Sequence, residues 1–161
     1  MRPILLRLEK LVFRLAELVL FVLMLALVVT VVLQVTFRYF LHRSLYWSVE
    51  LSRFLFVWLV FLGAAVGVHM NSHVSIDAVV KAVPEGTRRM MRLLTTAVSA
   101  AFLLLVTYYG LSLALQTMGS PSEALKIPYG WLYVSVPISS LMMLLACFGR
   151  TLEGKAESTH E

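Results

Sequence analysis

The feature of the sequence that most constrains the fold is an uninterrupted apolar run near its beginning. Leu18–Phe37 holds 20 residues without a charge, bounded by Glu17 and Arg38. An α-helix rises about 1.5 Å per residue, so this run matches a hydrocarbon core of about 30 Å. A secretory signal is the alternative, because basic residues precede the run, but signal cores span only about 7–15 residues and end in small residues. The run therefore predicts a retained transmembrane helix.

Three further segments have the composition of membrane spans. Phe54–Val68 is too short to cross alone, so we expect the second helix to begin after Ser48, a residue suited to cap it. Pro84 precedes the third helix, and Pro137 is predicted to bend the fourth. The predicted fold class is an all-α integral membrane protein, a single membrane domain with short loops. Its four transmembrane helices are expected at about 15–37, 49–70, 88–115 and 129–149.

Segments outside these spans carry amphipathic or polar patterns. Before the first span, apolar and basic residues alternate at helical spacing, which predicts an amphipathic lead-in that lies on the membrane surface or extends the first helix. Val74–Lys81 is too short to cross and predicts a surface-lying segment between helices 2 and 3. A polar C-terminal tail is expected at 150–161.

The composition argues against a soluble enzyme or a nucleic-acid-binding module. Hydrophobic residues make up 60% of the chain and charged residues 14%, whereas a soluble domain has about one quarter charged. The net charge of +5 comes from basic residues beside the apolar spans, which indicates contact with the lipid bilayer and no nucleic-acid partner. A single cysteine, Cys147, excludes a thiol oxidoreductase that needs paired cysteines.

The distribution of Lys and Arg predicts the orientation. Of the 14 basic residues, ten flank one side of the predicted membrane and four flank the other. The positive-inside rule then places both termini in the cytoplasm.

No metal or cofactor is expected. His69, His73 and Asp77 would align on one face only if the second helix continued past Met70. A haem-binding membrane anchor would need histidines that face each other at mid-depth, and the sequence has none there. The spans also lack any arrangement suited to acid–base or nucleophilic catalysis, so no catalytic residue is expected.

Three charges at the ends of the first two helices are candidates for a network. Arg38, Glu50 and Arg53 meet at the hairpin between these helices, where a carboxylate between two arginines would be stabilised as a buried group. Solvated side chains that extend towards the headgroups are the alternative. Lower on the second helix, Gly63 and Gly67 form a G-x-x-x-G step, which predicts close packing against another helix, although chance could also produce it.

The order and spacing of several short motifs resemble the small membrane subunit of TRAP transporters, the DctQ type. The similarity runs from about Leu15 to Gly149, and one departure is Gly130, where the family more often has a bulky residue. The matching motifs are Gln34-Val35-x-x-Arg38-Tyr39, Trp47-x-x-Glu50-Leu51-x-Arg53, Phe56-Val57-Trp58-x-x-Phe61-Leu62-Gly63-Ala64-Ala65, His73-x-x-x-Asp77 and Ile127-Pro128-Tyr129-Gly130-Trp131-Leu132-Tyr133 with Pro137.

This resemblance implies a tripartite secondary transporter in the bacterial inner membrane. A periplasmic substrate-binding protein would deliver an organic acid to a large membrane subunit that takes it up by sodium symport. The chain would brace the large subunit and help to dock the binding protein. Trp58, Gly63 and Gly67 would then pack against the partner subunit, and His73 and Asp77 would form a motif at the cytoplasmic end.

Two other functions are open to a chain of this size. One is a self-sufficient small four-helix transporter or exporter that acts as a homodimer, which would need an acidic residue at mid-membrane in the first span. The other is a quinone- or haem-binding anchor of a membrane enzyme, which would need histidine ligands at mid-depth. The sequence shows neither feature.

Overall fold

The helices account for most of the residues that the structure describes. A computed structural model of the protein describes residues 2–43, 45–70 and 85–157. Within these ranges the structure has no β-strand, only an isolated bridge between Pro121 and Pro128. Four helical spans are long and apolar enough to cross a membrane, and the last of them comprises the final two helices of the chain. This confirms the predicted fold class. The helices are α1 (Arg2–Phe40), α2 (Tyr46–Met70), α3 (Glu85–Thr117), α4 (Gly130–Tyr133) and α5 (Ser135–Glu157).

The first helix is continuous with the predicted lead-in. Because α1 begins at Arg2 and runs unbroken to Phe40, the lead-in extends the first span. The helix ends where His42 adopts a left-handed backbone angle, φ 52°. There the N–H of Arg43 turns back to the carbonyl oxygen of Phe37 at 3.2 Å, which satisfies a carbonyl in the last turn.

The second helix begins three residues earlier than the sequence predicted, and Ser48 is not its cap. Ser48 is fully buried in the first turn, and its hydroxyl donates to the carbonyl oxygen of Leu45 at 2.7 Å. A serine hydroxyl is a donor as well as an acceptor, so here it satisfies a carbonyl that precedes the helix.

The fourth span is interrupted at Val134, which separates α4 from α5. Pro137 has no N–H to donate to the carbonyl of Tyr133, so one helical hydrogen bond is lost there. Val134 keeps helical angles, φ −59° and ψ −25°, and its carbonyl still accepts from Ile138 at 3.3 Å. The chain therefore stays helical across the interruption. The helix then continues to Glu157, beyond the predicted end of the span near 149.

The long helices pack in the order α1, α2, α5, α3. α2 and α5 pack against each other in the middle, α1 packs mainly on α2, and α3 packs on α5. As a result α1 and α3 form the two edges and expose long apolar faces. The predicted surface-lying segment at 74–81 lies outside the described residues.

Small residues allow close approach at both ends of the bundle. Phe13, Ala65 and Ala146 are almost completely buried where α1, α2 and α5 meet, and the ring of His69 stacks on Phe13 with centroids 3.8 Å apart. On the other side of α5, a Cβ added at Gly110 would lie 2.9 Å from Val136 Cγ1. α3 therefore approaches α5 more closely than an alanine at this position would allow.

Gly130, the departure from the family motif noted above, also lies where a side chain would not fit. A Cβ added at Gly130 would lie 2.6 Å from the carbonyl oxygen of Ala114 and 2.6 Å from the sulfur of Met118. The first turn of α4 can therefore lie against the end of α3 only if this residue has no side chain.

Candidate functional site

The loop between α3 and α4 is held as a short hairpin. Its two sides are joined by the N–H of Ser122, which donates to Ile127 O at 2.9 Å, and the N–H of Tyr129, which donates to Ser120 O at 3.0 Å. Lys126 takes a left-handed angle, φ 58°, at the turn. These bonds fix the backbone of Glu123–Leu125 at the tip, where two amides point towards α2.

Glu50 of α2 binds this tip. Both carboxylate oxygens lie 3.1 Å from the N–H of Ala124, and one of them accepts from the N–H of Leu125 at 2.9 Å. Hydrogen bonds between a carboxylate and backbone amides are charge-assisted and stronger than neutral ones. The side chain thus ties the beginning of α2 to a loop 74 residues later in the chain.

Among the described residues, the partners of this carboxylate are backbone amides and not the arginines of the predicted charge network. Arg38 and Arg53 have exposed side chains, and neither forms an ion pair with Glu50 among the described residues. The carboxylate is occupied by backbone donors. A network of all three charges therefore stays a prediction, while the contact that the structure shows is between Glu50 and the loop.

Two aromatic contacts continue the same face of α2. Phe54 stacks on Tyr129 with ring centroids 6.1 Å apart, and the indole Nε1–H of Trp58 donates to the carbonyl oxygen of Trp131 at 3.1 Å. Glu50, Phe54 and Trp58 are spaced four residues apart, so they line one side of the helix. We call these three residues the contact row. It joins α2 to the loop and to α4.

The predicted partner-packing residues therefore have mixed surroundings. Trp58 is engaged within the chain, and a Cβ added at Gly63 would lie 3.9 Å from Leu20 of α1, an ordinary contact. A Cβ added at Gly67 would meet no other described element within 4 Å, so this position faces open space in the described part of the chain. His73 and Asp77 lie outside the described residues.

Buried polar groups in the bundle are small hydroxyls. Three of them donate to a carbonyl three or four residues earlier, Thr30 to Ala26 O, Ser48 to Leu45 O and Ser135 to Leu132 O, each at 2.7 Å. The buried hydroxyls of Ser122 and Ser139 have no hydrogen-bond partner among the described residues. Among the residues whose burial the structure describes, no Asp, Glu, Lys or Arg is buried. The buried polar side chains of the described spans are therefore hydroxyl groups.

The fold and this interior define a multi-pass α-helical membrane protein. Residues 27–156 match the family model described as tripartite ATP-independent periplasmic transporters, DctQ component, and the chain belongs to this family. The family is that of a transporter membrane subunit and not of an enzyme, and the chain is a multi-pass protein of the bacterial inner membrane. The resemblance found from the motifs is confirmed.

Three relatives show the range of the similarity. The C4-dicarboxylate TRAP transporter small permease protein DctQ of Rhodobacter capsulatus is 33% identical over 107 residues, 65% of this chain and 46% of the relative. The sialic acid TRAP transporter permease protein SiaT of Haemophilus influenzae (strain 86-028NP) is 26% identical over 69% of this chain but only 18% of the relative. The sialic acid TRAP transporter small permease protein SiaQ of Vibrio cholerae serotype O1 is 26% identical over 85% of this chain and 79% of the relative. The chain thus spans less than half of the first two relatives.

Proposed function

We propose that this chain is the small membrane subunit of a tripartite transporter that takes up an organic acid with sodium. In this proposal it braces a large membrane subunit, which carries the substrate, and helps a periplasmic binding protein to dock. The observation that carries the proposal is the match to the permease protein SiaT, in which the matched part is 18% of a much longer chain. A counterpart of this subunit is there covalently joined to additional permease sequence, which is the arrangement expected of two parts that work in contact.

The internal contacts support a bracing role. The contact row and the close glycine contacts fix α2, α3, α4 and α5 relative to one another. A scaffold needs such fixed geometry, because it must hold a moving partner without deforming itself. Trp58 and Gly63 would serve the partner interface indirectly by positioning α2, and the open space at Gly67 would admit a partner helix.

The loop between α3 and α4 supports a docking role. It lies at the same end of the bundle as the beginning of α2, and Glu123 and Lys126 at its surface are exposed. With both termini in the cytoplasm, as the basic residues predict, this end faces the periplasm. A hairpin held by Glu50 would present a constant surface to a binding protein.

Reconstitution tests the proposal. Proteoliposomes with this chain, a large membrane subunit that co-purifies with it from its native membrane and the binding protein should take up a radiolabelled organic acid, such as a C4-dicarboxylate or sialic acid, under a sodium gradient. Omission of any component should abolish uptake. Transport by this chain alone would instead support the small homodimeric transporter and contradict the scaffold role.

A further inference from the structure

A groove between α1 and α2 has the features of a phospholipid site. It is a shallow depression of about 410 Å³ that is largely open towards the surroundings of the bundle. Its lining combines an arginine and a serine with four apolar side chains: Leu27, Val31, Val49, Ser52, Arg53 and Phe56. We propose that the groove holds an acyl chain of a membrane phospholipid whose phosphate is bound by Arg53.

The depth of Arg53 agrees with this occupant. Arg53 follows the start of α2 at Tyr46 by about 10 Å of helix, and about 26 Å separates it from the end of the helix at Met70. In a hydrocarbon core of about 30 Å this places its Cα about 4–10 Å inside one boundary, from which a long guanidinium side chain extends towards the phosphate level. Leu27 and Phe56 lie deeper, where acyl chains are.

The guanidinium is available for an anion. Glu50, one turn earlier on α2, is occupied by the amides of Ala124 and Leu125, and the described residues place no carboxylate in an ion pair with Arg53. Ser52 already donates to Val49 O at 3.0 Å, so its proton is not free. Arg53 is therefore the side chain of the groove that can donate hydrogen bonds to an anion, and its planar guanidinium group suits phosphate oxygens.

The charge pattern of the groove favours a phospholipid over an apolar helix of another subunit. The wall from Val49 to Phe56 extends over about 10 Å along α2 and carries Arg53 among apolar side chains. A cationic group beside an apolar surface complements the anionic phosphate and the acyl chain of one phospholipid, whereas an apolar helix would leave the guanidinium without an anion.

Photolabelling tests the site in the full chain within its native membrane. The probe is phosphatidylglycerol with a diazirine in one acyl chain, and mass spectrometry locates the labelled residues. We expect enriched labelling at Leu27, Val31 and Phe56 relative to Phe21, which is 67% exposed on α1 and reports bulk lipid. Arg53→Gln should lower the groove labelling roughly threefold to tenfold, as expected for the loss of one charge-assisted contact.

Three controls separate the alternatives. Arg43→Gln removes an exposed arginine of the same end that does not line the groove, and it should leave the labelling unchanged. Diacylglycerol with the same diazirine chain lacks the phosphate. Its labelling of the wild-type groove should be as weak as the labelling of the Arg53→Gln groove by the phospholipid. Val31→Trp should fill the groove and lower labelling while the guanidinium remains.

Two results would overturn the proposal. One is equal labelling of the groove in wild type and Arg53→Gln, or no enrichment over Phe21, which would indicate bulk lipid only. The other is a protein crosslink from a benzophenone side chain at Val49 in native membranes, which would show that a partner helix covers the groove. A loss of uptake without a change in labelling would bear on the transport proposal and leave the lipid site in place.

Discussion

The carboxylate of Glu50 and the backbone amide of Leu125 lie 2.9 Å apart, across 75 residues of sequence. This contact sets the position of the α3–α4 loop on the beginning of α2, since the same carboxylate also holds Ala124. Below it, Phe54 and Trp58 extend the attachment along one side of α2. The loop is thus a fixed part of the bundle at the end proposed to face the periplasm.

Removal of the Glu50 carboxylate should free the loop. In Glu50→Ala the amides of Ala124 and Leu125 lose their acceptors, and their hydrogen exchange should become at least about threefold faster. Glu50→Gln keeps one acceptor oxygen and should show a smaller increase. Hydrogen exchange with mass spectrometry in nanodiscs measures both. Glu123→Ala changes an exposed carboxylate of the same loop and is the matched control; exchange that responds equally to this change would contradict a specific role for Glu50.

The indole hydrogen bond of Trp58 should contribute to stability. Trp58→Phe keeps an aromatic ring but removes the donor to Trp131 O, and we expect a loss of about 0.5–1.5 kcal/mol. Trp47→Phe is the matched control, because Trp47 is 40% exposed at the beginning of the same helix. Thermal unfolding in one detergent compares the variants. Equal melting temperatures for Trp58→Phe and wild type would show that the bond is not retained outside the membrane or has no net value.

The glycines should divide into two groups on substitution by alanine. Gly110→Ala and Gly130→Ala place a Cβ within 3 Å of a neighbouring helix and should destabilise the chain by about 1–3 kcal/mol. Gly67→Ala meets nothing within 4 Å and should be neutral or stabilising, because glycine lowers helix stability. Thermal unfolding measures the difference. A destabilised Gly67→Ala would contradict the open space at that position.

The span pattern was readable from the sequence because lipid imposes it. The length without charge in Leu18–Phe37 and the family motifs were sufficient for the fold class, which the structure confirms. The predicted start of α2 was wrong. The sequence favoured Ser48 as a residue whose hydroxyl accepts a hydrogen bond and caps the helix, whereas this hydroxyl donates to the carbonyl oxygen of Leu45. Residue type alone does not distinguish these two roles of serine.

The partner of Glu50 was not predictable from charge. An arginine is visible in a sequence, but the backbone amides of Ala124 and Leu125 are chemically like any others until the loop is folded. One signal was present, since Glu50, Phe54 and Trp58 recur at four-residue spacing on a helix whose other residues are mostly apolar. A polar and aromatic row of this kind indicates a helix face that contacts another element.

The orientation is a further prediction. In a Cys147→Ala background, cysteines at Arg43 and Glu123, both exposed, should react with an impermeant maleimide from the periplasmic side. A cysteine at Met90, which is 72% exposed near the other end of α3, should react only after the membrane is permeabilised. Uptake by the Cys147→Ala protein is the control for folding. Labelling of Met90 alone in intact spheroplasts would invert the proposed topology.

The open position at Gly67 distinguishes a structural glycine from one that receives a partner. Since no described residue outside the neighbouring turns of α2 lies within 4 Å of a Cβ added at Gly67, Gly67→Leu should leave the stability of the isolated chain within about 0.5 kcal/mol of wild type. If a helix of the large subunit packs there, the same change should separate the backbones and reduce co-purification of the large subunit. Gly119→Leu is the matched control, because Gly119 also has nothing within 4 Å but lies in the loop after α3. Full co-purification and uptake with Gly67→Leu would show that the large subunit does not contact this face, and the partner interface would then have to lie on the exposed face of α1 or α3.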